Sequence, residues 1–287
     1  MPWPSSRAAN AGLVGDLGRE PAAPARWNDL GLRVASAALM APVALACIWL
    51  GGPAFTVLIA AAAAGLASEW TGLYGLSRRG APSLLVAAPA VLATVAAALG
   101  PAWLGLSLLL AGCGAVWAGA GRPGLAAGVA YVGLAGLALI WLRQGGAEIG
   151  RANVLVLVLI VWASDIAAYT CGRLLDGPKL APRLSPRKTW SGAIGGLIAA
   201  ILVGQAAALA FNGVPTVRAS GIAAILGIAT QAGDLLESGV KRHFGVKDSG
   251  RLIPGHGGLL DRLDGLLAAA PVAALAVLIG RGGYLWQ

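Results

Sequence analysis

Apolar runs close to the length of a bilayer crossing recur along the whole chain, and no other feature constrains its fold as strongly. About 20 apolar residues in a helix cross a hydrocarbon layer of about 30 Å. Such runs fall near residues 32–50, 54–74, 83–99, 102–119, 124–142, 153–172, 192–211, 219–237 and 258–280. Hydrocarbon offers no partner to a backbone N–H or C=O, so each run must satisfy its own polar groups as a helix. The expectation is an all-α, polytopic integral membrane protein with about nine transmembrane helices. Composition agrees, since only 11% of the 287 residues are charged, against about 25% in soluble domains. Cys47, Cys113 and Cys171 stand far apart within apolar stretches, a pattern that fits neither a disulfide framework nor a CxxC metal site.

Cytoplasmic loops carry the excess of Lys and Arg. With the N-terminus inside, only Arg143, Arg151, Arg218 and Arg281 of the 21 Lys and Arg residues fall outside. The formal charge of +9 is therefore read as topology and attraction to anionic headgroups, with no nucleic acid as partner. Residues 1–31 are rich in Pro, Ala, Gly and Arg, lack the apolar core of a signal peptide, and read as a disordered cytoplasmic tail. Residues 32–150 contain one acid inside a predicted span, Glu69, and read as a transmembrane scaffold. Trp49, Trp70, Trp103, Trp117, Trp141 and Trp286 lie near predicted helix ends, where indole rings anchor at the headgroups. Gly128, Tyr131, Gly133 and Gly136 recur at helical spacing, which favours close helix packing.

Residues 151–287 differ, because Asp165, Asp234, Glu237, Asp261 and Asp264 sit in or at the ends of apolar helices. An ionised acid at bilayer depth costs about 2.5–3.5 kcal/mol even on the lenient insertion scale, so five of them call for cations. Asp234 and Glu237 stand three apart, as do Asp261 and Asp264, so each pair projects from one helix face. One such pair alone reads equally as a helix cap or as an ion pair with Lys241, Arg242 or Arg262. Two pairs at the same membrane edge favour an oxygen cage, and hard oxygen ligands suit Mg²⁺.

Pro254-Gly255-His256-Gly257-Gly258 precedes the second pair, and its glycines permit a tight turn whose N–H groups face an anion. His256 reads as a general acid or base, a phosphate donor, or a structural hydrogen-bonding residue. Upstream, Pro178, Pro182 and Pro186 keep a basic stretch non-helical. Its core, Ser185-Pro186-Arg187-Lys188-Thr189, offers hydroxyls and cations ahead of a Gly-rich helix start, a combination suited to phosphate. The chain contains no P-loop, GxGxxG or HExxH motif, so a nucleotide would be held through metal and basic loops.

Together these stretches resemble the phosphatidate cytidylyltransferase (CDP-diacylglycerol synthase) family across roughly residues 30–285. The resemblance is carried by Ser238-Gly239-Val240-Lys241-Arg242, Lys247-Asp248, Pro254 to Gly258 and Asp261-Arg262-Leu263-Asp264. Ser164 to Arg173, Ser185 to Gly192 and Glu69-Trp70 also match. Ser191 stands where the family usually has Glu, and Ile166 where it usually has Thr.

The resemblance implies an inner-membrane enzyme, with its active site facing the cytoplasm, that joins CTP and phosphatidate to give CDP-diacylglycerol and pyrophosphate. It further implies that Asp234, Asp261, Asp264 and Glu237 hold Mg²⁺, with room for a second cation such as K⁺. Lys241, Arg242, Lys247 and Arg262 would neutralise phosphates, Ser185, Lys188 and Thr189 would form the opposite wall, and Gly257, Gly258 and His256 would complete the site. Asp165 is either a further neighbour of the metal or the partner of a basic residue. The membrane lipid supplies one substrate, and the oligomeric state stays open, a homodimer included. Two other functions fit a chain of this kind, a CTP-dependent polyprenol or dolichol kinase and a cation-coupled transporter.

Overall fold

The computed structural model describes residues 26–78, 80–250, 252–253 and 257–286. The predicted tail lies outside them up to residue 25, as do His256 and its neighbours Pro254 and Gly255. The helices run in order as α1 (Arg26–Leu50), α2 (Gly52–Leu73), α3 (Ala81–Leu99), α4 (Ala102–Ala120), α5 (Pro123–Arg143), α6 (Ile149–Leu174), α7 (Trp190–Asn212), α8 (Val217–His243) and α9 (Leu260–Ile279), with strands β1 (Lys179–Ala181) and β2 (Ser185–Thr189) between α6 and α7. Among the described residues eight helices, α2 to α9, are long and apolar enough to cross a membrane. Within α1, the stretch Ala38–Leu50 is a shorter apolar helix segment. Its helix begins at Arg26, inside the stretch read as tail.

Breaks between helices follow the residues that cannot continue one. Gly51 and Gly52 take positive φ of 67° and 50° ahead of α2, a conformation open to glycine at little cost. Pro101 and Pro123 sit at the starts of α4 and α5, where a missing N–H costs nothing. Thr189 and Thr216 cap α7 and α8 by accepting from Gly192 N at 3.1 Å and Ala219 N at 3.0 Å.

Small residues bring the helices together. Gly128 faces the Trp70 ring, Gly133 faces Leu109, and a Cβ on Gly136 would lie 2.8 Å from Thr94 Oγ1. The tryptophans divide. Trp49, Trp103 and Trp117 are exposed, as expected of interfacial anchors, whereas Trp70 and Trp286 are buried in the core. Trp70 is held there because its Nε1 donates to Gly124 O at 3.0 Å.

Contacts at the two ends of the bundle sort the loops. At one end Arg143 Nε donates to Ile48 O at 2.7 Å, and Asn153 Nδ2 donates to Gly283 O at 2.9 Å. At the other, Arg78 donates to Ser249 O at 2.9 Å and Lys188 pairs with Asp234. This second end gathers the α2–α3 loop, the β1–β2 hairpin and the α8–α9 loop, which carry most of the charge of the second half.

Candidate functional site: a carboxylate cluster between two helices

Two glycines set the crossing of α8 and α9. A Cβ on Gly233 would lie 2.5 Å from Asp264 O and 2.7 Å from Ala268 Cβ, and one on Gly265 would lie 2.7 Å from Thr230 Cγ2. Each glycine adjoins an aspartate, so the close approach of the backbones brings Asp234 and Asp264 together. Glu237, one turn further along α8, completes the group. One carboxylate oxygen from each of Asp234, Glu237 and Asp264 lies within 4.8 Å of the other two.

Two unit charges at that separation repel by about 3–4 kcal/mol at an effective dielectric of about 20, so three carboxylates together need positive charge. Lys188 reaches Asp234 from β2, and Lys241 Nζ lies 2.5 Å from Glu237 Oε2. The Glu237 side chain is 2% exposed, and besides this ion pair its carboxyl meets only another acid, Asp261, with no backbone N–H or hydroxyl donating to it among the described residues. A buried carboxyl without a backbone or hydroxyl donor, facing the carboxylates of Asp234 and Asp264, is the environment of a cation ligand. The cluster therefore has the donor set for a divalent metal.

Asp261 lies outside this trio, although its spacing from Asp264 predicted a shared cage; its carboxyl meets that of Glu237, and both contact Lys241. Its Oδ1 accepts from Lys241 Nζ at 2.7 Å. Its Oδ2 accepts from Ser249 N at 3.0 Å, Ser249 Oγ at 2.9 Å and Gly258 N at 3.1 Å. Both oxygens are thus engaged in holding the α8–α9 loop and orienting Lys241. An ammonium has three N–H groups; Asp261 accepts one of them, and Glu237 pairs with the charge.

Sequence reasoning left Glu69 in the scaffold, and the structure brings it into the site region. Fully buried on α2, it accepts from Leu259 N at 3.0 Å through Oε1, and from Leu260 N at 2.8 Å and Ser249 Oγ at 3.1 Å through Oε2. The N-cap residue of α9, Leu259, has no side chain able to cap, so an acid from another helix satisfies the free N–H groups of that helix start. The Ser249 hydroxyl has one proton to share between Glu69 and Asp261 and so couples the two. The available signal was an acid alone in an apolar span, which by its cost asks for a partner.

The remaining predicted residues distribute as follows. Ser185 and Thr189 are the ends of β2, which pairs antiparallel with β1 in the register Lys179 to Thr189 and Ala181 to Ser185. The proline-rich stretch is thus a short hairpin. Thr189 is buried, and its hydroxyl is engaged as the α7 cap and with Ser191 Oγ at 2.9 Å. Ser191 in turn donates to Asp176 O, so this departure from the family pattern has a local role of its own. Arg242, Lys247 and Arg262 are exposed. Gly257 takes φ of 87° and bridges Ile253, while Gly258 is buried where a Cβ would lie 2.7 Å from Asp261 Oδ2.

A cavity of about 640 Å³ opens beside the cluster, lined by Asp165, Tyr169, Arg173, Lys188, Gln231 and Asp234 among others. It holds cations and carboxylates on facing walls, which suits a polyanionic ligand together with a metal.

Comparison with known proteins shows the family. A model described as the cytidylyltransferase family matches residues 31–279. The chain is 43% identical over 263 residues to the phosphatidate cytidylyltransferases of Brucella suis biovar 1 and Brucella melitensis biotype 1, covering 88% of this chain and 94% of each relative. A phosphatidate cytidylyltransferase of Staphylococcus aureus is 41% identical over 152 residues, 52% of this chain and 56% of its own length.

Proposed function

Because the chain belongs to the cytidylyltransferase family, we propose that it is a membrane-embedded enzyme that transfers the cytidylyl group of CTP to phosphatidate, releasing pyrophosphate. The observation that carries this reading is the trio of Asp234, Glu237 and Asp264, of which Asp234 also lines a cavity that presents Lys188 and Arg173. Phosphatidate carries its own nucleophile, since a phosphomonoester with a second pKa of about 6 is largely dianionic at neutral pH. The obstacle is bringing one anion to the α-phosphorus of another.

Asp234, Glu237 and Asp264 would hold Mg²⁺. Bound there, the ion supplies polarisation of the phosphate oxygens and offsets charge developing on the leaving pyrophosphate. Lys188, Lys241 and Arg173 supply fixed positive charge toward the phosphates, and Arg242, Lys247 and Arg262 attract the nucleotide toward the rim. Asp261 positions Lys241 through the 2.7 Å contact, and Asp165, which lines the same cavity as Lys188, adds negative charge beside it. The positive-inside bias supports a cytoplasmic site in a cell's inner membrane, where CTP is at hand. Within this reading residues 151–287 carry the chemistry, and residues 32–150 form the frame through which Glu69 braces it.

Supplying the purified protein with phosphatidate, Mg²⁺ and CTP labelled on either the α- or the γ-phosphate tests the reading. Transfer of the α-label to lipid is expected. Transfer of the γ-label would instead identify a lipid kinase, and no transfer of either would overturn the assignment. A transporter would spread its acids along a membrane-crossing path, whereas Glu69, Asp165, Asp234, Glu237, Asp261 and Asp264 gather toward one end of the bundle.

A further inference from the structure

A second cavity, of about 460 Å³, lies deeper in the bundle among α1, α2, α5, α6 and α9. Phe55, Leu66, Val158, Trp162 and Leu263 exemplify its lining, which is built almost entirely from hydrocarbon. We propose that this cavity seats one acyl chain of the lipid substrate, a proposal that rests on the reading of that substrate as phosphatidate.

One helix, α6, lines both the apolar cavity and the polar one. On α6, Val154, Val158 and Trp162 line the apolar cavity, and Asp165, Tyr169 and Arg173 line the polar one. Their spacings of three and four residues keep all six on one face of the helix. At a rise of about 1.5 Å per residue, Trp162 is about 4.5 Å below Asp165, and Val154 about 16 Å below it. On α9, Leu263 and Leu267 line the apolar cavity on either side of Asp264, which belongs to the carboxylate trio. A molecule with its phosphate beside Lys188 and Asp234 would therefore lay one hydrocarbon tail along this face of α6 toward the apolar cavity. That path suits a lipid whose head is anionic and whose tail stays at membrane depth. Each methylene seated in such a cavity strengthens binding by roughly fourfold.

The experiment compares dihexanoyl and dipalmitoyl phosphatidate in mixed micelles at fixed mole fraction, and reads kcat/KM for each. Ala62, half-buried on α2, lines the cavity, and Ala62→Phe fills part of it. The expected result is a fall of tenfold or more in the ratio of dipalmitoyl to dihexanoyl kcat/KM. Ala44→Leu, on the α1 wall, should shift the ratio in the same direction and serves if Ala62→Phe does not fold. A ratio equal to that of the unsubstituted protein in both variants would overturn the proposal and leave the cavity to a bulk bilayer lipid or a helix of a second copy. Failure of the unsubstituted protein to transfer α-label to either lipid would instead overturn the functional reading, and the acyl-chain seat with it.

Discussion

Replacing Glu69 tests how the N-terminal half supports the site. Its two oxygens accept from Leu259 N, Leu260 N and Ser249 Oγ at 2.8–3.1 Å, and the side chain is 1% exposed. Glu69→Ala leaves two backbone N–H groups at the start of α9 without an acceptor, and each such buried group costs about 1–3 kcal/mol. The expected destabilisation is therefore about 2–6 kcal/mol. Glu69→Gln keeps one acceptor oxygen but turns an NH₂ toward a donor, for a cost of about 1–3 kcal/mol. Unfolding by SDS titration in mixed micelles measures both variants. Ser68→Ala is the control, because that hydroxyl bonds only Gly65 O of its own helix. Turnover should fall in the same order, since α9 carries Asp261 in its first turn and Asp264 in its second. A Glu69→Ala protein within about 0.5 kcal/mol of the control, the scatter of ordinary surface substitutions, and with turnover within twofold, would refute the reasoning.

Two other substitutions separate the parts of the site. Asp261→Asn removes the charge that orients Lys241 and is expected to lower turnover about 100-fold, the scale of losing one preorganised electrostatic group. The folded protein should remain recoverable by size-exclusion chromatography, and near-normal turnover would detach Lys241 from the chemistry. Gly233→Ala places a Cβ 2.5 Å from Asp264 O, which forces α8 and α9 apart. It should raise the Mg²⁺ concentration for half-maximal activity by about 10–100-fold, as loss of ligand support does, in a magnesium titration of initial rates.

Much of the fold was legible because a bilayer crossing demands length and apolarity, and both are properties of a contiguous run. The helix breaks at Gly51-Gly52, Gly100-Pro101 and Arg122-Pro123 could be seen for the same reason, since glycine and proline act locally. The acids were legible as a group because each is expensive in an apolar context. What spacing does not encode is the division of labour between Asp261 and Asp264. They share a helix face, yet the loop through Ser249 and Gly258 wraps one of them and leaves the other to the trio. Glu69 was missed because its partners Leu259 and Leu260 offer only backbone N–H groups, which no side-chain pattern marks, and they lie about 190 positions away. The hairpin of residues 179–189 was read only as non-helical, because its prolines speak against helix and say little about a two-stranded turn. Trp70 and Trp286 were misplaced because an indole near a helix end suits a headgroup layer and a packed core alike.

The account stands on a cation held by Asp234, Glu237 and Asp264, and electron paramagnetic resonance of Mn²⁺ binding reads that site without turnover. The unsubstituted protein should bind one Mn²⁺ that Mg²⁺ displaces. Asp264→Asn and Asp234→Asn should each weaken that binding by at least tenfold, while Asp165→Asn leaves it within about threefold. Equal Mn²⁺ affinity in the unsubstituted protein and in a variant lacking all three carboxylates would contradict the account.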